Sequence, residues 1–201
     1  MPTPERTSLD EIVGAAALLL EAGGPTAVTM QAVAHAVGVK APSLYKRVRD
    51  REALLSLVGA AAADDLSARL EATSDDLDGL LVAFRRFGRE RPEAFRLLFT
   101  TVVDADRLAA TSAPVLRATT SAVGEEHALD AARLLTAWAT GFVTMELAGA
   151  FRLGGDLDEA YSYGRNHLVA SLTRGQGTSR MSAQDGVPPW AQDAERPAQG
   201  S

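Results

Sequence analysis

The segment from Val28 to Leu55, VTMQAVAHAVGVKAPSLYKRVRDREALL, constrains the fold more tightly than any other part of the chain. Met30, Val33, Ala34 and Val37 recur at helical spacing and share one face, and Gly38 follows where a sharp turn needs a permissive backbone. Leu44 and Val48 make the matching face of a second short helix, and Ala34 is small where the two must approach closely. The pattern predicts a helix-turn-helix. Thr29 stands just before it, where a hydroxyl can cap the first helix or donate to a phosphate.

Charge points the same way. Gly38 to Arg51 holds Lys40, Lys46, Arg47, Arg49 and Arg51 against Asp50 alone, a net of +4 in a chain whose total is −6. Both lysines of the protein lie in that window, where cations can neutralise phosphates and release counterions. The acidic remainder discourages indiscriminate binding elsewhere. A cationic cluster alone is often only a solvated face. Here the cations lie opposite Leu44 and Val48 behind a glycine turn, a combination that favours DNA binding over a purely structural hairpin.

With 201 residues and 46% hydrophobic content the chain can bury a sizeable core. It has no cysteine, which excludes a disulfide framework, a thiol nucleophile and thiolate metal sites. The opening MPTPERTSLDEIV lacks the build of a signal peptide, and no apolar run reaches the roughly 18 residues of a membrane span, so a cytoplasmic protein is expected. Ala, Leu, Arg and Glu dominate and the periodic segments repeat at 3.6, so the fold should be all-α.

Ser8 and Glu11 make a capping-box pattern for a first helix that ends at Ala22-Gly23-Gly24-Pro25. Helices follow at about Met30 to Val37, Ala41 to Val48 and, behind an Asp50 cap, Arg51 to Leu70. Leu80, Leu81, Phe84 and Phe87 repeat at helical spacing over 77 to 91, and Pro92 opens a helix carrying Phe95, Leu98 and Phe99. Residues 104 to 113 read as a loop with a helical turn, and Pro114 as the start of a helix to Val123. Leu129 to Leu153 is apolar nearly all round, with Leu134, Trp138, Gly141 and Met145 on one stripe, so it must be central or covered by a partner chain. A last helix spans Asp156 to Thr173, and the Gly, Pro, Gln and Ser-rich stretch from Gly175 reads as a disordered tail. The expected division is a helix-turn-helix domain over 1–55, a larger helical domain over 56–174 and a tail over 175–201.

The stretch GVKAPSLYKRVRDREALL closely resembles the signature of the tetracycline-repressor (TetR) family of bacterial regulators, and WATGFVTMELAGAF, Trp138 to Phe151, resembles one of that family's regulatory C-terminal domains. The resemblance covers roughly residues 8 to 173. It implies that Ala41, Pro42, Ser43 and Lys46 face base edges in the major groove, that Thr29, Tyr45, Arg47 and Arg51 hold phosphates, and that Lys40 does either. The pair Lys40-Ala41 departs from the family by offering no side-chain cap and no charged side chain at position 41. The resemblance further implies a homodimer formed through the last two helices, a palindromic double-stranded operator and a small-molecule effector whose binding separates the reading heads. An inducible repressor is the expected function. An aromatic and Met lining suits an apolar ligand, which nominates Phe84, Phe87, Phe95, Phe99, Trp138, Phe142 and Met145, with Thr140 and Thr144 as polar handles. Such residues at helical spacing also serve as ordinary core.

Two other classes compete. The three histidines, His35, His127 and His167, lie on separate helices with no paired-ligand spacing and no nucleophile elbow, so neither catalysis nor a metal or other cofactor is expected. A helical protein-interaction adaptor would keep the hairpin without reading DNA; unlike a DNA reader, it would ignore salt and Lys46→Ala.

Overall fold

The computed structural model describes residues 7–100 and 104–182. Among these residues stand nine α-helices and no strand, as the uniform 3.6-residue period requires.

The first helix, α1 (Leu9–Ala27), opens on the expected capping box: Ser8 Oγ accepts from the Glu11 amide at 3.1 Å and Glu11 accepts from the Ser8 amide at 2.8 Å. It does not stop at Gly23-Gly24 but kinks there. Gly24, at φ +67°, takes the left-handed turn, and one further helical turn carries Pro25 to Ala27. Thr29 caps α2 (Met30–Ala36), and Gly38 at φ +70° turns the chain into α3 (Ala41–Leu44). This helix is shorter than the expected Ala41 to Val48. Lys40 supplies no cap, and beyond Leu44 the chain continues as a turn whose Arg47 and Val48 amides both donate to the Leu44 carbonyl.

The long helix α4 (Arg51–Glu71), capped by Asp50, runs through both halves of the molecule. Its Leu54 and Val58 pack with Ile12, Leu20, Val33, Leu44 and Val48, whereas Ala62, Leu66 and Leu70 pack with Leu81, Phe87, Phe95 and Val143. The boundary expected at residue 55 therefore falls inside one rigid helix. At about 1.5–3 kcal/mol for each large apolar side chain buried, each of these clusters is substantial.

The larger cluster is built by α5 (Leu77–Glu90), α6 (Pro92–Leu98), α7 (Ala105–Val123), α8 (Glu125–Leu147) and α9 (Leu157–Ser182). Residues 105 to 113, expected as loop, are helical. Asp104 caps the Arg107 amide, Ala105, Ala109, Ala110 and Ala113 favour helix, and Arg107 reaches Asp64 of α4 at 3.1 Å, so Pro114 is buried within α7 rather than at its start. Helix α8 starts before Leu129 and ends well before Leu153. Gly149 at φ +61° donates to the Glu146 carbonyl while Ala150 donates to Met145, the paired bonds of a Schellman terminus. The expected tail also differs at its start, since α9 runs past Gly175 to Ser182; extending a formed helix adds one bond per residue fixed. Residues 183–201, Trp190 among them, lie outside the described residues. No helix among the described residues is long and apolar enough to cross a membrane.

Candidate DNA interface and regulatory core

The recognition segment divides cleanly into an inward and an outward face. Leu44 and Val48 are buried in the head, while Pro42, Ser43, Tyr45, Lys46 and Arg47 are exposed and Ala41 is half-buried. One face anchors and the other is presented. The turn that makes this possible depends on Gly38 for its backbone angle rather than for space, since nothing lies within 4 Å of where a Cβ would stand. Lys40 and Lys46 are exposed and enter no ion pair among the described residues. Thr29 accepts from the Ala32 amide at 3.0 Å, which leaves its hydroxyl hydrogen free to donate.

Arg51 and Arg49 are engaged within the head. The Arg51 guanidinium gives Nε to the Val28 carbonyl at 2.8 Å and Nη2 to the Pro25 carbonyl, joining the start of α4 to the turn between α1 and α2. The Arg49 guanidinium donates to Asp50 at 2.6 Å. Asp50 is held below the usual carboxylate range, first by the Ala53 amide it caps and then by Arg49.

The seven residues nominated for a ligand fall into separate groups. Phe84 and Phe95 meet edge to face at 5.5 Å, and Phe95 meets Phe99 at 5.2 Å, with Phe99 exposed at the end of α6. Phe87 is fully buried, with the Arg69 guanidinium 5.4 Å from its ring. Trp138 and Phe142 belong to a second aromatic group with Tyr161 and Phe151, at centroid distances of 4.9 to 5.8 Å. Met145 is exposed on α8. The second group is filled rather than hollow, because Gly164 of α9 has no room for a Cβ against the Trp138 ring. A cleft of about 370 Å³ lies between the head and α7, lined by Val48, Ser56, Leu57 and Arg107 among others, and one of about 260 Å³ lies beside Leu77, Ala118 and Val169. None of the seven residues lines either cleft.

Four residues outside the set nominated for a ligand organise this interior. Arg85 on α5 makes a two-bond fork to Glu146 of α8 at 2.9 and 2.7 Å, also meets Asp158 of α9, and lies 4.6 Å from the Tyr161 ring centroid. The Glu146 hydrogen bonds raise the guanidinium's pKa further. Tyr161 donates to the Leu81 carbonyl at 2.7 Å, and its burial pushes the phenol pKa up. The signal was available: Arg85 sits four residues after Leu81 on the apolar stripe of α5, and Glu146 interrupts an otherwise uncharged stretch of α8. Thr140 Oγ1, nominated as a polar handle, is shut off from solvent without a hydrogen-bond partner. Among the described residues no cluster of three His, Asp or Glu side chains could hold a metal ion. His35, His127 and His167 are all exposed.

A helix-turn-helix head with an outward cationic face, joined by one shared helix to a larger helical domain, defines a DNA-binding transcriptional regulator. The chain belongs to the TetR family: residues 5–58 match the family of bacterial regulatory proteins, tetR family, and residues 77–168 match the tetracyclin repressor-like C-terminal domain. Three solved structures illustrate the likeness. A TetR variant from Acinetobacter baumannii AYE in complex with minocycline is 20% identical over 84% of this chain and 97% of its own, with a TM-score of 0.63. The transcriptional regulator SCO7222, a TetR from Streptomyces coelicolor, is 18% identical over 84% of this chain and 99% of its own, with a TM-score of 0.65. A protein of unknown function from Rhodococcus sp. RHA1 is 21% identical over 86% of this chain and 100% of its own, with a TM-score of 0.71. At these identities the likeness concerns the fold. No curated relative matches the chain in sequence.

Proposed function

We propose that this regulator is a homodimeric repressor that reads a palindromic operator and is released from it by a small, largely apolar ligand. The observation that carries the reading is the recognition segment, where Leu44 and Val48 are buried and Pro42, Ser43, Tyr45, Lys46 and Arg47 point outward. In this reading Ala41, Pro42, Ser43 and Lys46 read bases, with Lys46 on a guanine and Pro42 against a thymine methyl. Thr29, Tyr45 and Arg47 hold phosphates and set register, and Lys40 does either.

The dimer reading is supported by an uncharged, outward stripe on α8. Leu134, Ala137, Gly141, Met145 and Ala148 recur there at helical spacing and are all exposed, beside exposed Tyr163 and His167 on α9. An apolar helix face of this length is stable in water once a second copy covers it. For the effector, support comes from the aromatic groups around Phe95 and Phe142, and from a neighbour of this fold being in complex with minocycline. The ligand would part the Trp138, Phe142 and Tyr161 contacts and favour a conformer with mis-spaced heads, at a coupling of about 1–3 kcal/mol.

Selection of randomised duplexes by the purified protein, followed by anisotropy titrations across salt, tests the reading. A recovered palindrome with a steep salt slope is expected, and its complex then serves as the probe for a ligand screen. Absence of enrichment at low salt would put the helical adaptor ahead.

A further inference from the structure

Helix α6 begins without a cap of its own. Arg91, at the capping position, makes no side-chain hydrogen bond to the helix, and Pro92 fills the first helical position without an amide. The next two amides would be orphan donors. Both instead donate to one carboxylate from the other domain: Glu21 on α1 accepts from the Glu93 amide at 3.2 Å and from the Ala94 amide at 2.9 Å. A carboxylate is favoured there by the partial positive charge of the helix start.

The rest of α6 is divided between the two domains. Leu97 is buried in the core of the head, and Phe95 is buried in the regulatory core. Arg96 donates to the Leu147 carbonyl at the end of α8, at 3.1 Å. The kink of α1 at Gly23 and Gly24 begins two residues after Glu21, and Gly24 lies beside Glu93. Displacement of the head relative to α6 must therefore strip α6 of its cap or carry α6 along, and with it the hold on α8.

We infer that Glu21 is the positioning residue through which the reading head and the regulatory domain sense one another, by lending α6 a cap that only a correctly placed head can supply. This inference rests on the operator reading above. It adds a contact through α1 to the continuous path of α4. Because coupling between sites is reciprocal, operator DNA itself can serve as the probe, with no effector required.

The measurement is hydrogen exchange over residues 92–98 of the full-length protein, with and without the selected duplex. Three proteins are compared: wild type, Glu21→Gln, and the double variant Glu21→Ala with Arg91→Ser. In the wild type, operator binding should slow exchange of the α6 amides by about fivefold or more, the lower end of typical coupling. The serine of the double variant gives α6 a local cap, so its exchange without DNA should return close to wild type, while the operator-dependent change disappears. Glu21→Gln, which keeps one acceptor and loses the charge, should fall between and covers the case in which the double variant misfolds. An operator effect on α6 that persists in the double variant, or that is undiminished in Glu21→Gln, would overturn the inference, as would its absence in wild type. Failure to recover any operator is a separate result and removes the DNA reading first.

Discussion

Arg51 is the residue at which family resemblance and local geometry point in different directions. Resemblance implies a phosphate contact, while Nε and Nη2 are given to the carbonyls of Val28 and Pro25. The salt slope separates the roles, because each phosphate contact contributes about 0.9 to it. If Arg51 sets the position of Thr29 and α2, Arg51→Lys and Arg51→Gln should both weaken operator binding by about tenfold, the scale of a lost charged hydrogen bond, with the slope unchanged. A phosphate holder would behave otherwise: Arg51→Lys near wild type, and Arg51→Gln shallower by about 0.9 per protomer. Arg85 sets a second residue-scale expectation. Removing either partner of a largely buried pair leaves the other's charge with a lesser contact, Arg85 with Asp158 or Glu146 with Arg89 at 3.9 Å, so Arg85→Met or Glu146→Leu alone should cost about 3 kcal/mol in urea unfolding. Arg85→Met with Glu146→Leu should cost clearly less than the sum, since the stranded charge is gone.

At the scale of helices, two close approaches are made at glycines. A Cβ on Gly88 of α5 would stand 2.5 Å from Val143 Cγ1, and one on Gly164 of α9 would strike the Trp138 ring. Gly88→Ala and Gly164→Ala should each lower stability by about 1–3 kcal/mol despite alanine's better helix propensity, which thermal melts of the purified variants would measure. Helices are also tied by charge. Glu90 of α5 accepts from Arg69 of α4 and from Arg86, which lower its pKa from 4.5 to about 2. A lowered carboxylate pKa stabilises the fold above the ordinary value and loses that contribution as pH falls towards 2, so Glu90→Gln should flatten the stability curve below pH 4.5. The elements most legible in the sequence were those whose signals are local. The Ser8–Glu11 capping box, the Asp50 cap and the Gly38 turn each stand where their residues predict. Elements decided by distant contacts were not legible. Pro114 looked like a helix start because proline favours that position, yet α7 begins at Ala105, held to α4 through Arg107 and Asp64. Likewise the aromatic residues of α5, α6 and α8 were visible as candidates, but the gathering of Trp138 and Phe142 into a filled group depends on Tyr161 and Arg85, which only the fold brings among them.

At the scale of the whole molecule, the proposed dimer sets a second copy over the outward stripe of α8, and Gly141 offers a substitution that tests it without disturbing the protomer. It lies in the middle of the exposed stripe between Leu134 and Met145, and apart from its chain neighbours and the backbone of its own helix turn nothing stands within 4 Å of where its Cβ would be. A side chain there meets only open space in the isolated chain. Replacing a helical glycine also removes its conformational cost, about 0.5–1 kcal/mol relative to better helix formers, so Gly141→Glu should leave the protomer as stable or slightly more so. At a two-fold contact the same substitution brings two carboxylates together in a closely packed, uncharged surface, which should shift the protein to monomer in sedimentation equilibrium. Operator affinity should fall with it, because each head then binds a half-site without the gain from its linked partner. Retention of a wild-type dimer by Gly141→Glu would move the contact away from this stripe, and loss of operator binding without loss of the dimer would mean that the stripe acts on the heads by some route other than pairing them.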